Sequence, residues 1–134
     1  MPLRAMFEEY IAEFNAGNAS GYSRFYAPDV AFRNGAGDSL RGAQAIVDYY
    51  TGLKADVARS IAVQGLLTGE RSIAAALASQ FTALSDHVVI GPTTLRSGDR
   101  LSIESIALYE IEDGRFARIE ATTLRRAVLR KDEI

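Results

Sequence analysis

Residues 100–126 read RLSIESIALYEIEDGRFARIEATTLRR, and this stretch decides the fold of the chain. Apolar and polar residues alternate on both sides of Glu112-Asp113-Gly114. Alternation with a period of two predicts β-strands, and Asp-Gly between two such runs is a strong signal for a tight hairpin turn. The stretch therefore predicts two long antiparallel strands, at 100–111 and 115–126.

Two further long strands are predicted upstream, at 60–67 and 72–84, with a turn at 68–71. The alanine-rich part of 72–84 has helical propensity, but the neighbouring strands favour a sheet. A long loop joins this strand to the one at 100–111. Earlier in the chain, strands at 30–34 and 39–41 predict a small hairpin around the turn Gly35-Ala36-Gly37-Asp38.

Three helices are predicted in the N-terminal half. The first has an apolar stripe at helical spacing and ends at Asn15-Ala16-Gly17. Its stripe consists of Leu3, Met6, Phe7, Tyr10, Ile11 and Phe14. We expect the second helix to be capped by Ser20, to include Phe25 and Tyr26, and to end at Pro28. The third begins after Gly42 and includes Tyr49 and Tyr50.

The predicted element order is α-α-β-β-α-β-β-β-β, and it indicates an α+β domain. We expect a curved, cone-shaped antiparallel sheet whose mouth is closed by three helices around one mostly apolar pocket. The length of 134 residues favours a single domain spanning 1–134.

Composition excludes several classes of chemistry. The chain has no cysteine, which rules out disulfides, thiolate nucleophiles and Cys-ligated zinc. A single histidine without clustered carboxylates predicts no metal site, and no cofactor is expected. Fifteen Lys and Arg against 17 Asp and Glu are scattered along the chain, so we expect no nucleic-acid partner. The N-terminal region has no apolar run long enough for a signal sequence or span, so we expect a cytoplasmic protein without a membrane partner.

Several motifs resemble those of a known superfamily. They are Tyr10-Ile11-Ala12-Glu13-Phe14-Asn15-Ala16-Gly17, Phe25-Tyr26-Ala27-Pro28-Asp29-Val30-Ala31-Phe32, Tyr49-Tyr50 after Gly42, and Tyr109-Glu110-Ile111-Glu112-Asp113-Gly114-Arg115-Phe116. With the element order, they resemble the SnoaL-like and ketosteroid isomerase-like branches of the nuclear transport factor 2-like superfamily, whose fold is cystatin-like. The superfamily includes isomerases, dehydratases, epoxide hydrolases and cyclases acting on apolar ring compounds, and also non-catalytic binding and assembly domains.

The resemblance implies a catalytic position for Tyr10 and for Asn34. Tyr10 falls where ketosteroid isomerases place a tyrosine that donates a hydrogen bond to a developing oxyanion. Asn34 falls where they place the proton-shuttling aspartate, and an amide does not take up a proton near neutrality. Their second oxyanion donor falls on Ala107, so steroid isomerisation by the familial mechanism is not expected. The limonene-type epoxide hydrolases have a carboxylate at the position that corresponds to Ala121, so the resemblance does not favour epoxide hydrolysis either.

His87 is the third candidate catalytic residue. The unperturbed pKa of histidine suits acid-base catalysis near neutrality, and the neighbouring Asp86 could stabilise a positive charge on His87. Its place at the end of a strand would allow it to lie over the mouth of the pocket. The alternative is a solvated loop histidine. The alternation at 100–111 puts Glu104 outside the pocket if Ala107 faces inward, and Glu120 is likewise expected on a solvated face.

We expect a roomy, uncharged pocket of about 300–1,000 Å³. Small Ala74, Ala76 and Ala78 leave room for a ligand on the face that carries Gln80. The expected ligand-binding residues are Phe14, Tyr26, Phe32, Tyr50, Gln80, Ser105 and Tyr109.

The predicted function is that of a SnoaL-like pocket protein for a small apolar, ring-containing ligand. Whether it also transforms that compound, by isomerase, cyclase or dehydratase chemistry, stays open at this point. The alternative is a non-catalytic dimeric binding or assembly domain. Ile106 and Leu108 on the outer sheet face predict a homodimer in either case.

Overall fold

A computed structural model describes residues 2–35 and 37–134 of the chain. Its helices are α1 (Leu3–Asn15), α2 (Ala19–Ser23) and α3 (Ala43–Lys54), and a short 3-10 helix (Lys131–Glu133) follows the last strand. Its strands are β1 (Tyr26–Arg33), β2 (Ser39–Arg41), β3 (Val57–Thr68), β4 (Ser72–Ala83), β5 (Val88–Ile90), β6 (Thr93–Leu95), β7 (Arg100–Glu112) and β8 (Arg115–Leu129). None of the described helices is long and apolar enough to cross a membrane.

Six strands form one curved sheet in the order β2-β1-β8-β7-β4-β3. The expected α+β fold with three helices and a curved sheet is confirmed, and all neighbouring strands are antiparallel except β1 and β8, whose parallel pairing makes the sheet mixed. Three register shifts interrupt two of the long pairings: one lies at Gly65 in the pairing of β3 with β4, and two lie near Ser105 and Ile111 in the pairing of β7 with β8. Such irregularities bend strands, and here they curve the sheet around the helices.

The second helix is shorter than predicted. Asn18, not Ser20, caps α2 by accepting a hydrogen bond from the Gly21 amide, and Tyr26 already belongs to β1. Pro28 lies inside that strand rather than at a helix end. Proline has no backbone N–H to donate to a neighbouring strand. Pro28 is tolerated because the residues between Tyr26 and Ala31 do not pair with β8, so no backbone hydrogen bond from Pro28 is needed.

The predicted loop between the second and third long strands contains a small hairpin of β5 and β6. Val88, Ile90 and Leu95 of this hairpin pack with Phe81 and Leu101 in a second apolar cluster at one end of the sheet. Arg126 on β8 fastens the hairpin by donating to the Ile90 carbonyl and the Thr93 hydroxyl, each at 2.9 Å. The hairpin is thereby held against the concave side of the sheet.

The main core lies between the helices and the concave face. Tyr10 of α1 stands at its centre, in contact with a ring of aromatic side chains. These are Phe7, Phe14, Phe25, Tyr26, Tyr109 and Phe116. Tilted and edge-to-face contacts predominate in this ring, and such pairs contribute about 0.5–1.5 kcal/mol each beyond the area that they bury.

Asn15 joins the end of α1 to the sheet edge. Its side-chain nitrogen donates to the Ile61 carbonyl and its side-chain oxygen accepts from the Ile61 amide, both at 2.8 Å. A β3 residue at the outer edge thus receives from a side chain the two hydrogen bonds that a further strand would supply. This contact fixes the depth at which α1 lies in the mouth of the sheet.

Candidate functional site

A cavity of about 120 Å³ lies between α1, α3 and the concave face. Its lining is mostly apolar and aromatic, and the polar groups come from Tyr10, Asn34, Ser79, Ser105 and Thr123 among others. Within residues 2–35 and 37–134, no Asp, Glu, His, Lys or Arg lines it. The cavity is smaller than the 300–1,000 Å³ expected from sequence, because large aromatic side chains extend into the concave side.

Tyr10 lines this cavity and carries a hydroxyl group that is hydrogen-bonded. The hydroxyl lies 2.8 Å from that of Tyr26, and either residue is a competent donor of the bond between them. A hydroxyl can accept one hydrogen bond while donating another. If Tyr26 donates the bond between the two residues, the Tyr10 hydroxyl accepts it and can donate its own proton to a different acceptor. Tyr26 is fully buried behind Tyr10 and contacts that residue rather than lining the cavity itself.

Burial sets the protonation of these phenols. Burial raises the pKa of Tyr10 well above its ordinary value, and the neighbouring Tyr26 raises it further. Burial likewise raises the pKa of Tyr109 and of Tyr50, both of which line the cavity. All three phenols are therefore neutral at physiological pH and act as hydrogen-bonding groups rather than bases.

Asn34 lines the same cavity and is held by the turn that follows β1. Its side-chain oxygen accepts from the Asp38 amide at 3.0 Å, and its nitrogen lies 3.4 Å from both the Asp38 carboxylate and the Tyr49 hydroxyl. The Tyr49 hydroxyl in turn donates to Asp38 at 3.2 Å. Asp38 is thus a carboxylate at the edge of the site, one hydrogen bond outside the lining. Ala36 of the predicted turn lies outside the described residues.

Five of the predicted ligand-binding residues line the cavity: Phe14, Phe32, Tyr50, Ser105 and Tyr109. Their strands and helices present them as the alternation predicted, since Ser105, Ala107 and Tyr109 share the concave face of β7. On the opposite face, Glu104 forms an ion pair with Arg125, and Glu120 forms one with Arg118. Both glutamates therefore lie outside the cavity, as expected.

Gln80 was placed on the wrong face. It is exposed and borders a groove on the convex side with Ala78 and Glu104. The concave positions of β4 are instead Ile73, Ala75, Leu77, Ser79 and Phe81. Alanines occupy both parities in this strand, so they did not distinguish its faces. The larger apolar residues at odd positions carried the correct signal.

His87 does not line the cavity either. It is exposed in the turn before β5 and adopts a left-handed backbone with φ of 64°. Val88 and Ile90 take the inward positions of β5, which leaves His87 on the solvent side. Asp86, expected to hold its charge, accepts a hydrogen bond from the Ser97 amide at 3.0 Å instead.

Sequence reasoning missed several lining residues: Ile61, Leu77, Ser79, Phe81 and Ile90. The alternation of β4 could have identified three of them. Ile90 had no usable signal, because it belongs to a hairpin of two three-residue strands inside an apparent loop.

Comparison with known proteins places this geometry in a family. The family described as SnoaL-like domain matches residues 7–119. No curated protein matches the chain. Among solved structures, a proposed polyketide cyclase of Pseudomonas putida KT2440 is 19% identical, with 86% of each chain covered and a TM-score of 0.74.

Two other solved structures share the fold. A nuclear transport factor 2-like protein of unknown function from Burkholderia pseudomallei K96243 is 16% identical, covering 90% of this chain and 88% of its own, with a TM-score of 0.72. An LEH-like epoxide hydrolase of M. tuberculosis is 12% identical, covering 87% of this chain and 78% of its own, with a TM-score of 0.68. At such identities the likeness establishes the fold alone. The family match over most of the chain shows more: this protein belongs to the SnoaL-like domain family, with a nuclear transport factor 2-like α+β fold.

Proposed function

We propose that this chain binds a compact, apolar, ring-containing compound in the cavity between Tyr10 and Asn34. The observation that carries the proposal is the cavity itself, whose apolar walls are interrupted by a few hydroxyl and amide groups. Ligand sites have this composition, with apolar walls for affinity and a few polar groups for orientation. An apolar cavity of roughly 150 Å³ is enough to bind benzene. A volume of about 120 Å³ therefore favours a ligand of one ring over a steroid-sized one.

Binding is the function that the described side chains support best. Catalysis by acid and base needs a group whose pKa lies near the working pH. The lining offers tyrosines whose pKa values are raised by burial, together with Asn34 and short hydroxyl side chains. In this proposal Tyr10 donates a hydrogen bond to the ligand and Asn34 orients it.

The test measures binding of toluene, phenol and a steroid ketone by ligand-observed NMR and by the shift in Tm. We expect toluene and phenol to bind and the steroid ketone not to bind. Phenol is expected to bind more tightly than toluene, since its hydroxyl can pair with Tyr10 or Asn34. Absence of binding by both single-ring compounds at millimolar concentration would overturn the proposal.

A matched pair of variants locates the binding. Ala107→Leu places a larger side chain into the cavity from β7, whereas Ala62→Leu adds the same atoms at an exposed position of β3. Ala107→Leu should abolish toluene binding while the chain stays folded, since overpacking typically costs about 1–3 kcal/mol. Ala62→Leu should bind like the wild type. Equal loss in both variants would place the ligand elsewhere.

A homodimer formed by the convex sheet face is the second proposal. Leu67, Ala74 and Leu108 are direct neighbours across β3, β4 and β7, and Ala76 and Ile106 form the adjacent row. Leu67 is 75% and Leu108 is 53% exposed. An apolar patch on an open sheet face is typical of a protein–protein contact, and a two-fold axis would let the patch cover itself.

Sedimentation at micromolar concentration tests this second proposal. We expect twice the chain mass of 14.5 kDa for the wild type. Leu108→Arg should give a monomer, whereas Leu84→Arg, at an exposed leucine beyond the end of β4, should leave the dimer intact. A wild-type monomer would contradict the proposed interface.

A further inference from the structure

Arg59 is a cation inside the concave side of the sheet. It lies on β3 opposite Phe81, between the inward residues Val57 and Ile61. Its guanidinium carbon is 3.9 Å from the centre of the Phe14 ring and 4.4 Å from that of Tyr50. Aromatic faces attract a cation, but they do not replace the directed hydrogen bonds that a guanidinium makes in water.

The hydrogen bonding of Arg59 is incomplete. Its Nη1 is buried and has no hydrogen-bond partner. No carboxylate forms an ion pair with it in the part of the chain that the structure describes. Burial lowers the pKa of Arg59 below its ordinary value, which reflects the loss of hydration. Buried charged donors are generally paired, so this one has capacity for an acceptor from outside the chain.

A second cavity, of about 60 Å³, adjoins Arg59. Its polar lining includes Lys54, Asn15 and Thr51, and among the described residues no Asp or Glu lines it. The Lys54 amine lies 3.4 Å from the Gly17 carbonyl, at the limit of a hydrogen bond. Two cations without a facing acid make this cavity electropositive, and its size suits a group of only a few atoms.

The second cavity shares part of its wall with the apolar one. Four side chains line both cavities: Phe14, Tyr50, Leu53 and Phe81. A group held at Arg59 therefore lies against the same aromatic rings that enclose the proposed ligand. The two cavities differ in character, since one is apolar and the other carries positive charge.

We propose that Arg59 binds the carboxylate of a ligand whose ring lies in the apolar cavity, so that the ligands of this protein are compact ring carboxylates. The inference rests on the proposed binding function and adds the charge of the ligand to it. The flat guanidinium matches a carboxylate with two parallel hydrogen bonds, a geometry that Lys54 cannot provide. Lys54 contributes a longer-range attraction to the same group.

The first test uses the wild type alone and three probes: benzoate, its neutral isostere benzamide, and toluene. We expect benzoate to bind at least tenfold more tightly than benzamide, and its affinity to fall as salt is raised from 20 to 300 mM. Toluene should bind with little dependence on salt. Equal affinity for benzoate and benzamide would overturn the inference, whereas failure of all three to bind would overturn the proposed function itself.

The second test uses variants. Arg59→Met keeps an unbranched side chain and removes the charge, and Arg71→Met removes a charge from an exposed turn as the matched control. Arg59→Met should weaken benzoate at least tenfold and leave toluene within twofold, with Lys54→Met weakening benzoate only about two- to threefold. Arg71→Met should bind all probes like the wild type. Retained benzoate affinity in Arg59→Met would overturn the inference.

Toluene binding serves as the check that each variant is folded. If Arg59→Met fails this check, Arg59→Lys keeps the charge without the forked geometry. Its benzoate affinity should then fall between twofold and tenfold below the wild type, and an unchanged affinity would count against the carboxylate contact.

Discussion

The hydroxyl oxygens of Tyr10, on α1, and Tyr26, the first residue of β1, lie 2.8 Å apart inside the core. Both residues are almost entirely buried, so each hydroxyl depends on the other for its partner. A buried hydroxyl that loses its partner keeps the desolvation cost without the hydrogen bond. The hydrogen bond between the two hydroxyls therefore contributes to the stability of the core and also holds Tyr10 in its position at the cavity.

Removing both hydroxyls should cost less than the sum of the costs of removing each one alone. We expect Tyr10→Phe and Tyr26→Phe each to lower the free energy of unfolding by about 1–2 kcal/mol, because each leaves the other hydroxyl unsatisfied. The double variant should lose less than the sum, with a coupling of about 1 kcal/mol. Urea denaturation of the four proteins measures this. Strict additivity would mean that the bond does not contribute.

Enlarging the cavity should change its size selectivity. Leu77→Ala removes a lining side chain of β4 and should cost about 2–4 kcal/mol in stability while allowing naphthalene to bind. Leu101→Ala is the control, since Leu101 is fully buried in the second apolar cluster and does not line the cavity. It should cost a similar amount without naphthalene binding. Binding in both variants, or in neither, would contradict the predicted wall.

Asp99 should make stability depend on acid. It is 1% exposed and accepts hydrogen bonds from the Arg96 and Lys131 amides and from Arg130. These backbone amides and the Arg130 charge lower the pKa of Asp99 to about 2. A lowered pKa means that the folded chain releases a proton which the unfolded chain holds. The resulting stabilisation is present above pH 4 and disappears as the pH falls toward 2.

The matching variant is Asp99→Asn. It should lower Tm at pH 6 on the order of 5 °C, because the amide cannot accept all of these bonds. The difference from the wild type should shrink as the pH is lowered to 2.5. Urea midpoints measured across this range check the prediction, and a difference independent of pH would contradict it.

Asn34 should be the position that separates this chain from proton-transferring relatives. Asn34→Asp places a carboxylate in the cavity with Tyr10, next to the Asp38 carboxylate. We expect the wild type to be inactive on cyclohex-3-enone and the variant to isomerise it measurably, since general-base catalysis typically contributes about 10²–10⁴-fold. Adding Tyr10→Phe should reduce the rate about 10²–10³-fold.

Two results would contradict this. Wild-type turnover would mean that another group acts as the base. An inactive Asn34→Asp variant that still binds the ketone would mean that the carboxylate is misplaced or that a second donor is required. Ala107→Asp in addition to Asn34→Asp distinguishes these two causes, because Ala107 lines the cavity from β7.

The sequence predicted the elements with strong periodicity. The stripe of α1 and the alternation of β7 and β8 each have one apolar face, so their buried residues followed from spacing alone. The strand β4 shows the limit, since alanines on both faces allowed Gln80 to be placed inside. The cap of α2 was misassigned for a similar reason: Asn18 and Ser20 are both good capping residues, and only the backbone path decides between them.

The site was predictable where it depends on position in the chain and not where it depends on distant packing. Tyr10 and Asn34 line one cavity, as their correspondence to site positions of the resembled family implied. The environment of Arg59 was not visible, because it needs α1, α3 and β3 to meet before Phe14 and Tyr50 can stack on the guanidinium. His87 is exposed in a turn, which agrees with the alternative of a solvated loop histidine, and the left-handed backbone of that turn was not visible in the residue pattern.

The amide of Asn15 has a consequence for how copies of this chain can meet in solution. Its two hydrogen bonds to Ile61 occupy the backbone groups through which a strand of another molecule would extend the sheet at β3. Further along this strand, Arg4 donates a hydrogen bond to the Leu66 carbonyl. An exposed strand edge is the usual starting point for aggregation into fibrils. At this edge two side chains of the protein's own first helix occupy backbone groups of Ile61 and Leu66, so sideways pairing of another strand along β3 is interrupted at these two residues.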